Sequence, residues 1–221
     1  MNRRQRGLDT QWQTAPTKQA RHVVIDTTGL KVFGAGNGMS ASIAWDAVAV
    51  VPKERLHLGV DQETKKIVAV DLTPSNIHDS SHLPVMLDQV MGEVSQASGD
   101  RAYDTWRCYQ SILARGAVPT IPPRRNARLS AVKDPPSFKA VRDAVLCCIK
   151  SKGRYPWRTS SGATRQSLAE NAVSRFKALV GVQLMSRRFD TQQVVEAMVK
   201  CRVLNRMAAL EMPKSKRIPV V

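Results

Sequence analysis

Cysteines, aromatic side chains and long apolar runs are all scarce in this sequence. Its four cysteines, Cys108, Cys147, Cys148 and Cys201, are too few for a disulfide scaffold. With no CxxC and no nearby histidine pair, they match no zinc pattern either. No apolar stretch approaches the roughly 18–20 residues needed to span a bilayer, and the opening MNRRQRGLDT lacks the apolar core of a secretory signal. A cytoplasmic, reduced protein with no membrane partner is expected. Aromatics make up only 5% of the chain, which argues against a stacking platform for single-stranded nucleic acid. Neither GxxxxGK[ST] nor GxGxxG occurs; Gly34, Gly36 and Gly38 form a GxGxG without the context of a dinucleotide site.

Acidic residues run short in one half of the chain. The net charge of +16 over 221 residues is unevenly distributed. Residues 1–100 hold 10 basic and 11 acidic side chains, whereas residues 101–221 hold 24 and 7. The stretch Ile121–Phe189 alone has 15 basic and 3 acidic residues. Such a field opposes compaction unless a polyanion is near, which favours the backbone of double-stranded DNA as partner; the alternative is a solvated basic surface.

The pattern along the chain is α/β. Residues 1–20 read as a basic tail, residues 21–212 as the folded body and residues 213–221 as a second tail. HVVID (22–26) is an apolar strand ending in a carboxylate, and ERLHLGVD (54–61) alternates Leu56, Leu58 and Val60 on one face. The turn QETKK leads into IVAVDLT (67–73), so the two runs predict a hairpin. DSSHLPVMLDQVMGEV (79–94) has helical spacing, with Leu83, Leu87 and Val90 inward and Asp79 or Ser80 as cap. A poorly patterned stretch precedes Gly99-Asp100, and Asp104 is expected to cap a helix running to Arg115. AVPTIP (117–122) reads as a strand, PPRRNARLSAVKDPP (122–136) as a basic loop, and Phe138–Lys150, Ser167–Val180 and Thr191–Leu210 as helices. Strands interleaved with helices, then a helical C-terminal part, predict a mixed sheet flanked by helices.

Acids stand out in a chain that seeks phosphate. Phosphodiester chemistry usually uses two divalent cations held about 4 Å apart by carboxylates on rigid elements. Asp26 interrupts an otherwise buried run, which is costly unless the carboxylate is paired or binds metal; a solvent-facing strand end is the alternative. Asp100, in GDRAYDT, is either a ligand or a turn cap. In SLAENAVSRFKALVG, Leu168, Ala172, Phe176 and Leu179 share one helical side, while Glu170 and Lys177 line up opposite, beside Gln166. A plain solvated face would look the same. His57 and His78 are read as structural or peripheral.

The segments VVIDTTGLKVFG, RLHLGVD, VAVDLTPSNIHDSSHLPVMLDQV, GDRAYDT, AVPTIPPRRNAR, SLAENAVSRFKALVG and LNRMAAL resemble, in the same order, the DDE transposases of bacterial insertion sequences, in the group of insertion sequence five. The resemblance spans about Arg21 to Met212 and implies an RNase H-like mixed sheet flanked by helices. It implies that Asp26, Asp100 and Glu170 bind two Mg²⁺ ions, for which Mn²⁺ can substitute, and that Lys177 contacts DNA near the element end. Arg175, Arg165, Arg124, Arg125 and Arg128 are further DNA-contact candidates. The implied reaction is water attack at the element end to free a 3′-hydroxyl, then attack of that hydroxyl on target DNA, with no covalent protein intermediate. It also implies a homo-oligomer on paired DNA ends and a nucleoid location. A DNA-binding remnant without catalysis is the competing reading.

Several positions depart from that pattern. The tyrosine and arginine that the family carries seven and four residues before the glutamate are here Ala163 and Gln166. Arg165 is the nearest arginine, about 100° round a helix from position 166. Residues 37–53 replace a basic stretch containing tryptophan and histidine, as a compensated frameshift would, and are expected to form an inserted hairpin and strand. The chain opens where the family's catalytic domain opens, so a truncated copy is expected.

Overall fold

A computed structural model describes residues 12, 17, 19–32, 53–132, 134–186 and 193–210. The segment 37–52, expected to be an insertion, and the tail 213–221 lie outside these, as does most of the expected tail 1–20. Trp12 is described and is buried in the core at 6% exposure.

The chain runs β1 (Arg21–Val32), β2 (Lys53–Asp61), β3 (Ile67–Pro74), α1 (Asp79–Asp88), β4 (Val94–Ser98), α2 (Trp106–Ala114), β5 (Val118–Thr120), α3 (Ser137–Lys152), α4 (Arg154–Ser161), α5 (Ser167–Val180), β6 (Gln183–Leu184) and α6 (Val194–Ala209). Three residues form a 3-10 turn at Arg101–Tyr103, and another 3-10 turn spans Ala163–Gln166. The sheet order is β3-β2-β1-β4-β5. The first three strands are antiparallel, β4 and β5 run parallel to β1, and β6 joins the far end of β1 in parallel. Helices cover both faces, and this is the RNase H-like fold expected.

Period-two alternation in β1 and β2 divides the core. Val24, Leu30, Leu56, Leu58 and Val60 face α5 and α6, meeting Ala169, Ala172, Phe176, Met198, Cys201 and Leu204. Val23, Ile25 and Ala97 face the other way, onto Leu83, Met86 and Leu87 of α1 and Tyr109 and Ile112 of α2. Burial of Phe176, fully enclosed here, contributes about 2–3 kcal/mol. Among the described residues the cysteines are free, and no helix is long and apolar enough to cross a membrane.

The 54–61 and 67–73 runs do form the expected hairpin, with Glu54 opposite Pro74 and Leu58 opposite Val70. Several local expectations are corrected. The unpatterned stretch before Gly99 is β4, a central strand. Its polar residues hide the pattern because they are internally bonded: Gln96 Nε2 donates to Thr120 Oγ1 and Ser161 O, and Ser98 Oγ lies 2.6 Å from His22 Nε2. Helix α1 stops at Asp88 and is entered through His78, while Asp79 pairs with Arg55 at 2.6 Å. Val90 is buried all the same. Thr105, not Asp104, caps α2. On α5, Ala169 is buried and Leu179 is 53% exposed, because the helix rests on the sheet through one narrow stripe. The helix α4 lacked a signal of its own.

Candidate active site

The two aspartates lie just past the end of one ladder, close enough for Asp100 to act on Asp26. Val24 pairs with Ser98 in the parallel β1–β4 ladder. Two residues further along β1 stands Asp26, and two residues past the end of β4, at the start of the 3-10 turn, stands Asp100. Helix α5 lies along β1 in the same direction: Gln166 Nε2 donates to Ile25 O at 3.1 Å, and Lys177 shares a groove with Gly29, Leu30 and Lys31. Glu170, between these points, therefore faces the middle of β1 near Asp26; the strand, expected to end at that carboxylate, runs on to Val32. Asp26 is half-buried, and Asp100 and Glu170 are exposed.

Electrostatics registers this grouping. Burial raises the Asp26 carboxyl to about 6; a 2.8 Å hydrogen bond from Thr27 N–H opposes the rise, and the charges of Asp100, Glu170 and Asp79 add to it. Asp79, on α1, is an acid that sequence reasoning passed over as a helix cap. Among the described residues no three His, Cys, Asp or Glu side chains stand close enough to share one metal ion. The donor chemistry nonetheless suits a hard divalent cation: carboxylates alone, converging from β1, the turn after β4 and α5, with their repulsion uncompensated at Asp26.

The opposite face of β1 carries a buried polar chain. Thr27 Oγ1 lies 2.9 Å from Tyr103 Oη and 3.0 Å from His57 Nδ1, and His57 Nε2 lies 2.8 Å from Thr73 Oγ1. Burial, then the neighbouring His82, push the His57 pKa down to about 4, so the ring is neutral and serves one acceptor and one donor. The arrangement that uses every proton has Tyr103 donating to Thr27, Thr27 to His57 and His57 to Thr73. The ring of His82 sits 4.8 Å from that of His57, and its Nε2–H donates to Asp71 at 2.8 Å. His57 is thus structural, as expected, and His78 is exposed. The signal for this chain was the alternation itself, which puts His57 on the face opposite Leu56 and Leu58.

The expected basic residues divide into separate places. Lys177 and Lys31 flank a groove of about 490 Å³ with Gly29, Leu30 and Val182. Arg175 projects from the other flank of α5, where it lines a second groove of about 390 Å³ with Lys65, Asn171 and Ser174. Arg165 is exposed and acts on His22, whose pKa is lowered by burial and further by that guanidinium. Arg124, Arg125 and Arg128 are exposed on the 122–136 loop. That loop is moored from beneath: Asp104 accepts from Arg124 N–H at 2.8 Å, and Arg142 donates to Arg128 O at 3.2 Å. Asp104 and Arg142 themselves form a buried two-pronged pair at 2.7 and 3.0 Å, with Arg142 over the Trp106 ring. Ala163 is buried, and Gln166, whose Oε1 is buried without a hydrogen-bond partner, abuts the sheet next to Asp26 through its bond to Ile25 O.

Comparison with known proteins matches a family model, described as the transposase DDE domain, over residues 17–206. Among solved structures, a chain of the simian T-cell lymphotropic virus intasome in complex with PP2A regulatory subunit B56 gamma is similar at 13% identity and a TM-score of 0.32. That match covers 91% of this chain and 60% of the other. The catalytic core domain of BIV integrase is similar at 10% identity and a TM-score of 0.30, covering 85% and 99%. A match across most of the chain, over the segments that carry Asp26, Asp100 and Glu170, shows that the chain belongs to the transposase DDE domain family.

Proposed function

We propose that this chain cleaves DNA at the ends of an insertion element of the insertion sequence five group and joins those ends to target DNA. The observation that carries the reading is that Asp100, in the turn just past the Val24–Ser98 end of the ladder, and Glu170, on α5, both act electrostatically on the half-buried Asp26. Two divalent cations, Mg²⁺ or Mn²⁺, would be held by Asp26, Asp100 and Glu170 and would supply activation of the attacking oxygen and stabilisation of the leaving one. Thr27 N–H orients the Asp26 carboxylate. Lys177 and Lys31 offer ammonium groups to a phosphate in the groove they flank. Arg124, Arg125 and Arg128 extend the basic surface along the duplex, and Arg175 and Arg165 offer contacts on either side of α5. Assembly of two or more copies on paired ends belongs to the same reading.

The second reading is DNA binding without cleavage, which the basic surface of Arg124, Arg125 and Arg128 serves equally well. One assay separates the two. Duplexes carrying the element ends are incubated with Mn²⁺ and the native chain, Asp26→Asn, Asp100→Asn or Glu170→Gln. Catalysis predicts nicking by the native chain and a loss of at least about a hundredfold in each variant. Binding that persists in all four with no nicking in any would establish the non-catalytic reading.

A further inference from the structure

The β1–β4 ladder ends at the Val24–Ser98 pair, two residues short of both aspartates. Past Ser98 the chain leaves the sheet and enters the 3-10 turn Arg101–Tyr103. Ladder hydrogen bonds therefore do not set the Asp26–Asp100 separation. A side-chain bond bridges the two segments beyond the ladder: Tyr103 Oη and Thr27 Oγ1, 2.9 Å apart. Each partner is tied to one of the aspartates. Thr27 N–H donates to Asp26 Oδ1 at 2.8 Å. Tyr103 N–H donates to Asp100 O at 3.2 Å, and the Asp100 carboxylate caps the same turn by accepting from Ala102 N–H at 2.8 Å.

The bridge is itself braced. Thr27 Oγ1 is held by His57 on β2, and His57 by Thr73 on β3, so three strands stand behind it. Tyr103 is 2% exposed, and a Cβ at Gly99 would come within 2.7 Å of its Cδ2. Only glycine at that position lets the ring tuck under the end of β4 and reach Thr27.

We propose that Tyr103 and Thr27 form a clamp, braced by His57, that sets the spacing of Asp26 and Asp100 and thereby the affinity of the pair for a divalent cation. Both are positioning residues, acting through the aspartates. The inference rests on the reading of Asp26 and Asp100 as cation ligands. Outer contacts of this kind typically govern metal affinity about 10- to 100-fold.

The test is a Mn²⁺ titration of the full chain without DNA, followed by electron paramagnetic resonance of the free ion, with metal-free thermal unfolding in parallel. Tyr103→Phe and Thr27→Val each remove one hydroxyl at nearly constant volume, and each is expected to weaken Mn²⁺ binding about tenfold or more. Thr27→Ser keeps the hydroxyl and is expected to bind as the native chain does. Lower melting temperatures with unchanged Mn²⁺ affinity in Tyr103→Phe and Thr27→Val would overturn the clamp. Should Tyr103→Phe fail to fold, the Thr27→Val and Thr27→Ser pair decides alone. Asp26→Asn and Asp100→Asn keep the two readings apart. If they lose Mn²⁺ while the hydroxyl variants bind normally, the clamp falls and the ligands stand. If they bind as the native chain does, or the native chain takes up none, the ligand reading falls and the clamp with it.

Discussion

The Asp26 carboxyl is held near 6 because burial strips water from its charged form and Asp100, Glu170 and Asp79 add negative potential. Its native value lies above its ordinary value of 3.8. Between pH 4 and 6 the native state therefore binds more protons than the unfolded one, and this group makes the fold less stable as pH rises through that window. A rise from 3.8 to about 6 corresponds to about 3 kcal/mol in full, and solvent screening of this half-buried carboxyl reduces it to about 1 kcal/mol. Asp26→Asn is accordingly expected to stabilise the metal-free protein by about 1 kcal/mol at pH 7 and to leave it unchanged at pH 4. Urea unfolding of both proteins at the two pH values checks this, and equal stability at pH 7 would remove the electrostatic conflict from the account. His57 acts with the opposite sign. Its depressed value contributes stability above about pH 6.5 that is lost toward pH 4, and it cancels in the comparison of variant with native.

The 122–136 loop owes its position to α3 more than to its own turns. Arg142 reaches from that helix to the buried Asp104 and to Arg128 O, while Asp104 also holds Arg124 N–H. Removing the guanidinium strands a buried carboxylate. Arg142→Met is expected to cost about 3–5 kcal/mol and to speed amide exchange at Arg124, whose partner is Asp104. Hydrogen exchange followed by mass spectrometry reads both effects. Exchange as slow as in the native chain would mean that the loop is held by its own prolines and by the Arg154–Pro123 bond. The same buried pair explains why Asp104 failed as a helix cap: a carboxylate that could have stayed in water at a helix end was claimed by an arginine 38 residues away.

The charge asymmetry acts over the entire body. Asp26 stands midway along β1, and exposed basic side chains are carried by the 122–136 loop, with further ones lining grooves on both flanks of α5. Each phosphate neutralised steepens the salt dependence of DNA binding by about 0.9 in logarithmic slope. Replacing Arg124, Arg125 and Arg128 together by alanine is expected to flatten that slope by about 2.7 while leaving Mn²⁺ uptake intact. Fluorescence anisotropy of a labelled duplex across a salt series measures it. An unchanged slope would mean that duplex DNA passes along the Arg175 and Lys65 side instead.

Much was legible along the chain alone. Alternation in ERLHLGVD and IVAVDLT determined the hairpin and its buried face, because a half-buried strand must place apolar residues every second position. Helical spacing determined α3, α5 and α6 to within a few residues and α1 at its start but not its end, and the ordered motifs carried the acids Asp26, Asp100 and Glu170 to the family. What waited for the tertiary structure was whatever depends on partners distant in the chain. Strand β4 is short and polar, and it is a strand only because β1 and β5 supply its ladder and Thr120, Ser161 and His22 satisfy its side chains. The separation of Arg165, Arg175 and Lys177 into three different places follows from how α5 and the turn before it lie on the sheet, an orientation no local pattern contains. The Tyr103–Thr27–His57–Thr73 chain joins residues up to 76 positions apart. Local periodicity records which side of an element is dry. It holds no information about which polar groups will meet there, since hydrogen-bond partners in a buried site are selected by packing after the elements have formed.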